Sequence, residues 1–438
     1  MATGQTVSRL KHLASTMPLR PAGVVWFDVS NRNDVDRHVS GNSMGRETRL
    51  QKPTGLQGRI EMKLRTLLAT AALAVTMTAS AFAADTVKIG DVVELSGAGA
   101  PVGANWRDAI DMAFDEINAD GGILGQQVEV THYDSQTDPQ VSRGLVQKAI
   151  DDGAYVLMGT VYSSSTIVNM MVAQQAGIPQ FTGSEAPSIT GQGNPYIFRT
   201  AFGAQKSMPK VATYLKDGLG AKKVAVAWVN NEFGKGGHDA FLKEAEAVGL
   251  EIVADVSSEA AQADFAADVA KVKNSGADVV FVYLHEEESA RFVKEYRKQG
   301  VELPIVGETT LISQKVIDLA GDDMNGVKGH IKMTADAPND LIQAFSAKFQ
   351  EKFGRKPDHN GIKGYLAAYT IKYVTEMNGD FDRQKFADKM HGLSLKASEY
   401  PGVLLDISWD DTGETSHETY IGEIVDGALK VNQVLPAQ

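Results

Sequence analysis

Short apolar runs that alternate with amphipathic stretches dominate the chain from Thr86 onward, and this rhythm limits the folds open to it. Residues 87–93 read as a buried strand. Residues 103–118 follow with Ile110, Phe114 and Ile117 at helical spacing, and Gly121-Gly122 ends them. A strand over 128–133, a helix over 139–150 with Val141, Leu145 and Ile150 inward, and a strand over 155–159 continue the pattern. After residue 203 it restarts, with strands at 223–228, 251–255, 278–283 and 304–307 and helices at 235–248, 263–274, 287–299 and 312–320. Repeated strand–helix alternation places strands parallel in one sheet and helices on both of its faces. The expected class is therefore α/β with two doubly wound parallel units. Two consecutive helices (339–353 and 360–378) and short late strands (403–434) are left over, and they complete both units if the chain crosses between them more than once.

The N-terminal region argues about location. Met62-Lys63-Leu64-Arg65 is followed by an apolar run over 66–80 and by Ala81-Phe82-Ala83, the three parts of a secretory signal peptide. The alternative is a membrane anchor, but a run of about 18 residues diluted with Thr and Ser is marginal for spanning. A lipid anchor needs a cysteine at the cleavage site, and the chain has none. The expectation is a soluble periplasmic protein with a signal peptide at 62–83, Met62 as the start and 1–61 as a disordered, mistranslated upstream extension. A cytoplasmic tail is the alternative for 1–61. The whole chain carries a net charge of −12; removing residues 1–83 takes away eleven Lys/Arg and five Asp/Glu and leaves about −18. That balance speaks against nucleic acid as a partner. Without cysteine, disulfide frameworks and thiolate metal sites are excluded.

Several collinear segments carry a resemblance. They are Leu95-Ser96-Gly97-Ala98-Gly99, the run from Ala113-Phe114-Asp115-Glu116-Ile117-Asn118 to Gly125, Tyr133-Asp134 with Asp138-Pro139, Ser163-Ser164-Ser165-Thr166, and Leu319-Ala320-Gly321-Asp322. In order and spacing they resemble the branched-chain amino-acid (leucine/isoleucine/valine) binding proteins, receptors of ABC transporters. The resemblance implies a type I periplasmic binding protein fold, with two lobes joined by a three-crossover hinge. Lobe 1 would hold 85–203 plus 335–405, and lobe 2 would hold 204–334 plus 406–438. It implies capture of an amino acid or related small carboxylate, delivery to a membrane ABC permease, a monomer, no cofactor and no catalysis. A sensory receptor of the same fold for an amide or aromatic acid is the rival reading.

The candidate binding residues follow strands. Tyr162-Ser163-Ser164-Ser165-Thr166 opens a helix, where backbone N–H groups and hydroxyls suit a carboxylate. Read alone, the run is a helix cap; the resemblance assigns the ligand's α-carboxylate to Tyr162, Ser163 and Ser164. It likewise assigns the ligand's ammonium and carboxylate to Gly183 and Ser184. Glu185 stands where a threonine is expected, so it would repel an acidic ligand group and attract a cationic one, or face solvent. Phe233 and His285 take the places of cleft aromatics, with Glu287 and Glu288 complementing a helix dipole. An ammonium-binding glutamate falls at Glu308 or, by ungapped counting, Thr309. Trp106 is either core or mouth of the cleft. The G-x-S-x-G at 41–45 has neither a strand before it nor a helix after it, and Gly97-Ala98-Gly99 with Gly103 spaces its third glycine one residue late for a dinucleotide loop. No Walker, H-E-x-x-H or calcium-loop spacing occurs.

Overall fold

The computed structural model describes residues 86–437. The segments read as extension (1–61) and signal peptide (62–83), and the G-x-S-x-G at 41–45, lie outside the described residues. In Val87–Val93 (β1) only Lys88 is exposed. A strand covered on both faces belongs in the middle of a helix-sandwiched sheet. Accordingly β1 runs parallel to both β2 (Val128–Asp134) and β3 (Val156–Met158), with Ile89 opposite Val130 and Val156. Helices α1 (Ala100–Ala119), α2 (Pro139–Asp151) and α3 (Ser163–Gln175) alternate with these strands. β4 (Gln180–Thr182) and β5 (Ile197–Arg199) complete a sheet of order β2-β1-β3-β4-β5. The Asp138 carboxylate accepts the Gln140 and Val141 amides and starts α2, whose first residue is Pro139. Gly159 has φ +88, and a Cβ there would stand 2.1 Å from the Val92 carbonyl oxygen. Only glycine lets the chain leave β3 so close to β1.

The chain then builds a second sheet through α4 (Ala204–Thr213), β6 (Lys223–Val229), α5 (Glu232–Val248), β7 (Glu251–Ser258), α6 (Ala266–Lys273), β8 (Val279–Tyr283), α7 (Glu286–Lys298), β9 (Ile305–Gly307), α8 (Gln314–Ala320) and β10 (Lys328–Ile331). It leaves this sheet for α9 (Asp340–Phe353), α10 (His359–Asn378) and α11 (Arg383–Met390). A small antiparallel sheet follows, of β11 (Ser394–Leu395), β12 (Ile407–Trp409) and β13 (Thr415–Ser416). The hairpin β14 (Thr419–Val425) and β15 (Ala428–Leu435) returns to the second sheet, whose order is β15-β14-β10-β9-β8-β6-β7. Its two-residue turn, Asp426-Gly427, holds both residues at positive φ, as the twist of a tight hairpin requires.

The fold is thus the expected α/β architecture of two doubly wound sheets, parallel except for the antiparallel hairpin β14–β15 at one edge of the second, and the chain passes between them three times: after β5, after β10 and before β14. α10 is buried on nearly every side and packs on α1. Gly364 permits this approach, because a Cβ there would lie 2.8 Å from the Trp106 carbonyl oxygen. Strand order reverses beside β1 in the first sheet and beside β6 in the second. Such reversals open a crevice at the carboxyl ends of parallel strands, where ligands of open α/β sheets bind. Among the described residues no helix is long and apolar enough to cross a membrane.

Candidate functional site

The loops after β3, β4, β6, β8 and β9 all leave carboxyl ends of strands, and they meet at one cavity. From the first sheet come Tyr162, Ser163, Gly183 and Glu185; from the second, Phe233, His285, Glu286 and Thr310; and α10 adds His359, Asn360 and Lys363. The space between these residues is about 330 Å³, counting the open solvent at its mouth.

Tyr162 and Ser163 lie at the start of α3. Its first intrahelical bond runs from the Thr166 amide to the Tyr162 carbonyl at 3.1 Å, so the amides of residues 163–165 precede the hydrogen-bond ladder. Ser163 Oγ accepts the Glu185 and Ala186 amides, each at 3.2 Å, which ties the loop after β4 to this helix end. The Val161 and Tyr162 amides donate to the Glu94 carboxylate at 3.1 and 3.2 Å. Burial pushes Glu94 up to about 7. Across the cavity Tyr162 stacks on His285 with centroids 4.5 Å apart. His285 stacks on Phe233 at 4.7 Å, and Phe233 on Tyr283 at 4.3 Å.

A buried ion cluster forms one wall. Lys332, just past β10, bonds Glu185 Oε2 and stands 3.1 Å from Glu308 Oε2. Lys363 Nζ reaches Glu185 Oε1 and the Gly183 carbonyl oxygen, both at 3.0 Å. His330 Nδ1 lies 2.9 Å from Glu308 Oε1, and the Thr309 amide donates to Glu308 Oε2 at 2.8 Å. Burial alone would raise Glu185, yet Lys332 and Lys363 hold it well below the usual carboxylate range. Burial would lower Lys332, but Glu185 and Glu308 raise it. Burial lowers His285, and with Lys363 it lowers His359 further, so both rings are neutral near pH 7.

The alternative that Glu185 faces solvent is therefore corrected. The carboxylate is buried, with one oxygen on each of two lysines. Of the other anticipated residues, Tyr162, Ser163, Gly183, Phe233 and His285 come together at the cavity. Ser184 is buried behind it, its Oγ on the Val161 carbonyl at 2.8 Å. Ser164 lies outside the lining, Glu308 sits in the ion cluster, and Thr309 lines a neighbouring cavity while its Oγ1 accepts the Lys332 amide at 3.0 Å. Trp106 is fully buried beneath Gly183, and its indole N–H donates to Asp91 Oδ1 at 2.9 Å. His132 bridges Asp91 and Asp111 at 2.7 and 2.8 Å. Burial opposes the His132 charge, but the two carboxylates raise it to about 10.

The sequence reading missed Lys332, Lys363, Glu286, Thr310, His359 and Asn360. The available signal was a lysine inside the small, apolar run 361–371, where an unpaired ammonium ion would be costly to bury. Glu286 was passed over for Glu287 and Glu288. Of these, Glu287 pairs with Arg291 at 2.9 Å and Glu288 accepts the Ala261 amide at 2.7 Å.

Glu286 gives a pH prediction. Burial, with Asp358, Glu288 and Glu185 nearby, pushes its carboxyl up from 4.5 to about 8. A folded-state value above the unfolded one means that the folded state binds more protons in between, so this contribution to stability is lost as pH rises from about 4.5 through about 8. Glu286→Gln is expected to raise stability at pH 8 relative to the parent, with little change at pH 4.5, as read by urea unfolding at both pH values.

The chain is similar to known proteins in sequence and in fold. The chain is 27% identical over 349 residues to the leucine-, isoleucine-, valine-, threonine- and alanine-binding protein of Pseudomonas aeruginosa, covering 78% of this chain and 91% of that one. A solute binding protein of an ABC transporter from Rhodopseudomonas palustris HaA2, solved with p-hydroxybenzoic acid, superposes with a TM-score of 0.73 at 26% identity, covering 81% of this chain and 97% of that one. The isoleucine-bound branched-chain amino acid transporter substrate binding protein of Streptococcus pneumoniae superposes with a TM-score of 0.72 at 23% identity, covering 80% and 100%, and shows the same fold. The model of the periplasmic binding protein family matches residues 86–428, so the chain belongs to that family.

Proposed function

We propose that this protein captures a small organic carboxylate between two lobes in the periplasm and delivers it to a membrane ABC permease. The observation that carries the reading is the cavity, to which loops at the strand ends of both sheets contribute. The named ligands of the relatives, aliphatic amino acids in one and p-hydroxybenzoic acid in another, share a carboxylate. The N-terminus of α3 with Ser163 suits that group, since its amides and positive dipole end favour an anion.

The lobes are 85–203 with 335–405 and 204–334 with 406–438, and the three passages are the hinge. Contacts such as the Tyr162–His285 stack and the Lys332–Glu185 pair span the two lobes. They form only on closure, so a ligand that touches both lobes shifts the equilibrium toward the closed state. Tyr162, Ser163, Ser164, Gly183, Ser184, Glu185, Phe233, His285, Glu308 and Thr309 form or support the site. The protein works as a cleaved, secreted monomer without catalysis.

The test is mass spectrometry of the small molecule that co-purifies with the protein, followed by deletion of the gene. Loss of uptake of that compound is the expected outcome. Intact uptake with lost gene induction by the compound would replace transport with sensing.

A further inference from the structure

One acid of the cavity has no counter-charge, and it lies between the lobes. Glu286, the first residue of α7 in the second lobe, is buried, and Val102 and Tyr162 of the first lobe line the cavity with it. The same three residues line a second space beside the cavity, so residues of the opposite lobe cover this side chain. Its carboxyl meets its own backbone amide. The nearby cations are engaged elsewhere. Arg291 bonds Glu287 at 2.9 Å and the Gln262 carbonyl at 3.0 Å, and Lys363 bonds Glu185 and the Gly183 carbonyl at 3.0 Å each. Lys315 lines the second space and, among the described residues, forms no ion pair with Glu286.

The other groups that face Glu286 are acidic or neutral. In the second lobe, Glu288 accepts the Ala261 amide at 2.7 Å, and His285 is neutral. From the first lobe come Asp358, which caps α10, the ionised Glu185 and the neutral His359. The Tyr162 hydroxyl keeps its proton because it is buried among Glu286, Glu288 and Glu94, and Glu94 also accepts the Tyr162 amide at 3.2 Å. Of the three carboxylates that oppose a charge on Glu286, two, Asp358 and Glu185, belong to the opposite lobe.

Opening the lobes withdraws those two acids and the cover of Val102 and Tyr162. The carboxyl then returns to water, where its ordinary value is 4.5. Closing buries it again without a partner, and an ionised carboxylate is costly to bury that way. Burial first, and then Asp358, Glu288 and Glu185, push the closed-state value up to about 8. Between the two values the closed state binds one more proton than the open state. Closure is therefore favoured at low pH, and the advantage is lost as pH rises through about 8.

We propose that a proton on Glu286 is a second ligand of this receptor, taken up on closure, so that the ligand-free protein closes as pH falls and opens as pH rises. The inference rests on reading the three passages as a hinge between two lobes. A bound solute of any chemistry then dissociates more readily at pH 8 than at pH 6.

The chain has no cysteine, so Gln140→Cys with Ala260→Cys places one spin label on each lobe, at exposed positions at the start of α2 and just after β7. Label distances are read by pulsed electron resonance on protein unfolded and refolded to strip ligand, at pH 5.5 and at pH 8.5. The ratio of closed to open molecules is expected to be at least about tenfold higher at pH 5.5. In Glu286→Gln the ratio is expected to change by less than about twofold and to exceed that of the parent at pH 8.5. Glu286→Ala serves the same comparison should glutamine disturb folding. Two distances whose ratio ignores pH would overturn the proton coupling and leave the hinge in place. A pH response that survives in both variants would move the coupling to Glu94 or Asp358 and overturn the role of Glu286. One distance at every pH, in parent and variants alike, would overturn the hinge reading together with the coupling.

Discussion

Lys332→Met is expected to cost about 3–5 kcal/mol of folding stability, the loss typical of removing one partner from a buried ion pair. Among the described residues Lys332 is the one cation paired with Glu308, since the His330 ring beside it is neutral, and it shares Glu185 with Lys363. Methionine keeps most of the volume, so the loss arises from carboxylates left buried without a counter-charge. Adding Glu308→Gln removes one of those carboxylates, and the double variant is expected to recover about half of the loss, a coupling that a double-mutant cycle isolates. The sign with pH is defined. In the parent, Lys332 holds Glu185 and Glu308 below their ordinary values despite burial, so that contribution is present above the unfolded value and is lost as pH falls. Without Lys332, burial dominates at Glu308 and the dependence reverses there. The deficit of the variant is therefore larger at pH 8 than at pH 5. An equal deficit at both pH values would assign the loss to packing.

Arg199→Lys keeps a charge and is still expected to cost about 2–4 kcal/mol, because two buried carbonyls lose their donor at about 1–3 kcal/mol each. Arg199 is fully buried at the end of β5. Its Nη atoms donate to the Ser184 and Ala186 carbonyls, and its Nε stands 2.7 Å from Glu414 Oε2. Lysine is a point cation that cannot fill three divergent acceptors. Glu414 also accepts the Gly203 amide at 2.9 Å, the Thr190 hydroxyl at 2.9 Å and the Gln205 amide at 2.6 Å. The substitution therefore loosens the loop after β4, which carries Gly183 and Glu185, together with the first and third passages. Ligand affinity is expected to fall about tenfold, or about 1.4 kcal/mol. A loss of stability with unchanged affinity, measured by unfolding and calorimetry on the same preparation, would separate Arg199 from the site.

How much was legible follows from what each residue's signal depends on. The strands around β1 and β8 were readable because their apolar runs are continuous, as burial on both faces demands. The start of α3 was readable as a strand-to-helix transition, and Tyr162 and Ser163 lie at the cavity. Lys363 was not, because α10 is covered nearly all round and its pattern does not say which side meets a ligand. Lys332 reaches a partner 147 residues away, a distance no local pattern encodes. At residues 308–311 the Leu311 amide closes a tight turn on the Glu308 carbonyl at 2.9 Å. Successive side chains then diverge, so that Thr310 lines the cavity while Glu308 faces the ions and Thr309 a neighbouring space.

The shared lysines also bear on how such a receptor changes its diet over generations. Glu185, Lys332, Glu308 and Lys363 satisfy one another, so replacing any one alone strands a buried charge before a new ligand can repay the loss. A lineage can rebuild the cluster only through paired substitutions, or after stability gained elsewhere has made the unpaired intermediate viable. The cluster acts as a ratchet on the mutational path: a side chain outside it can change one at a time, while its four charges change only together.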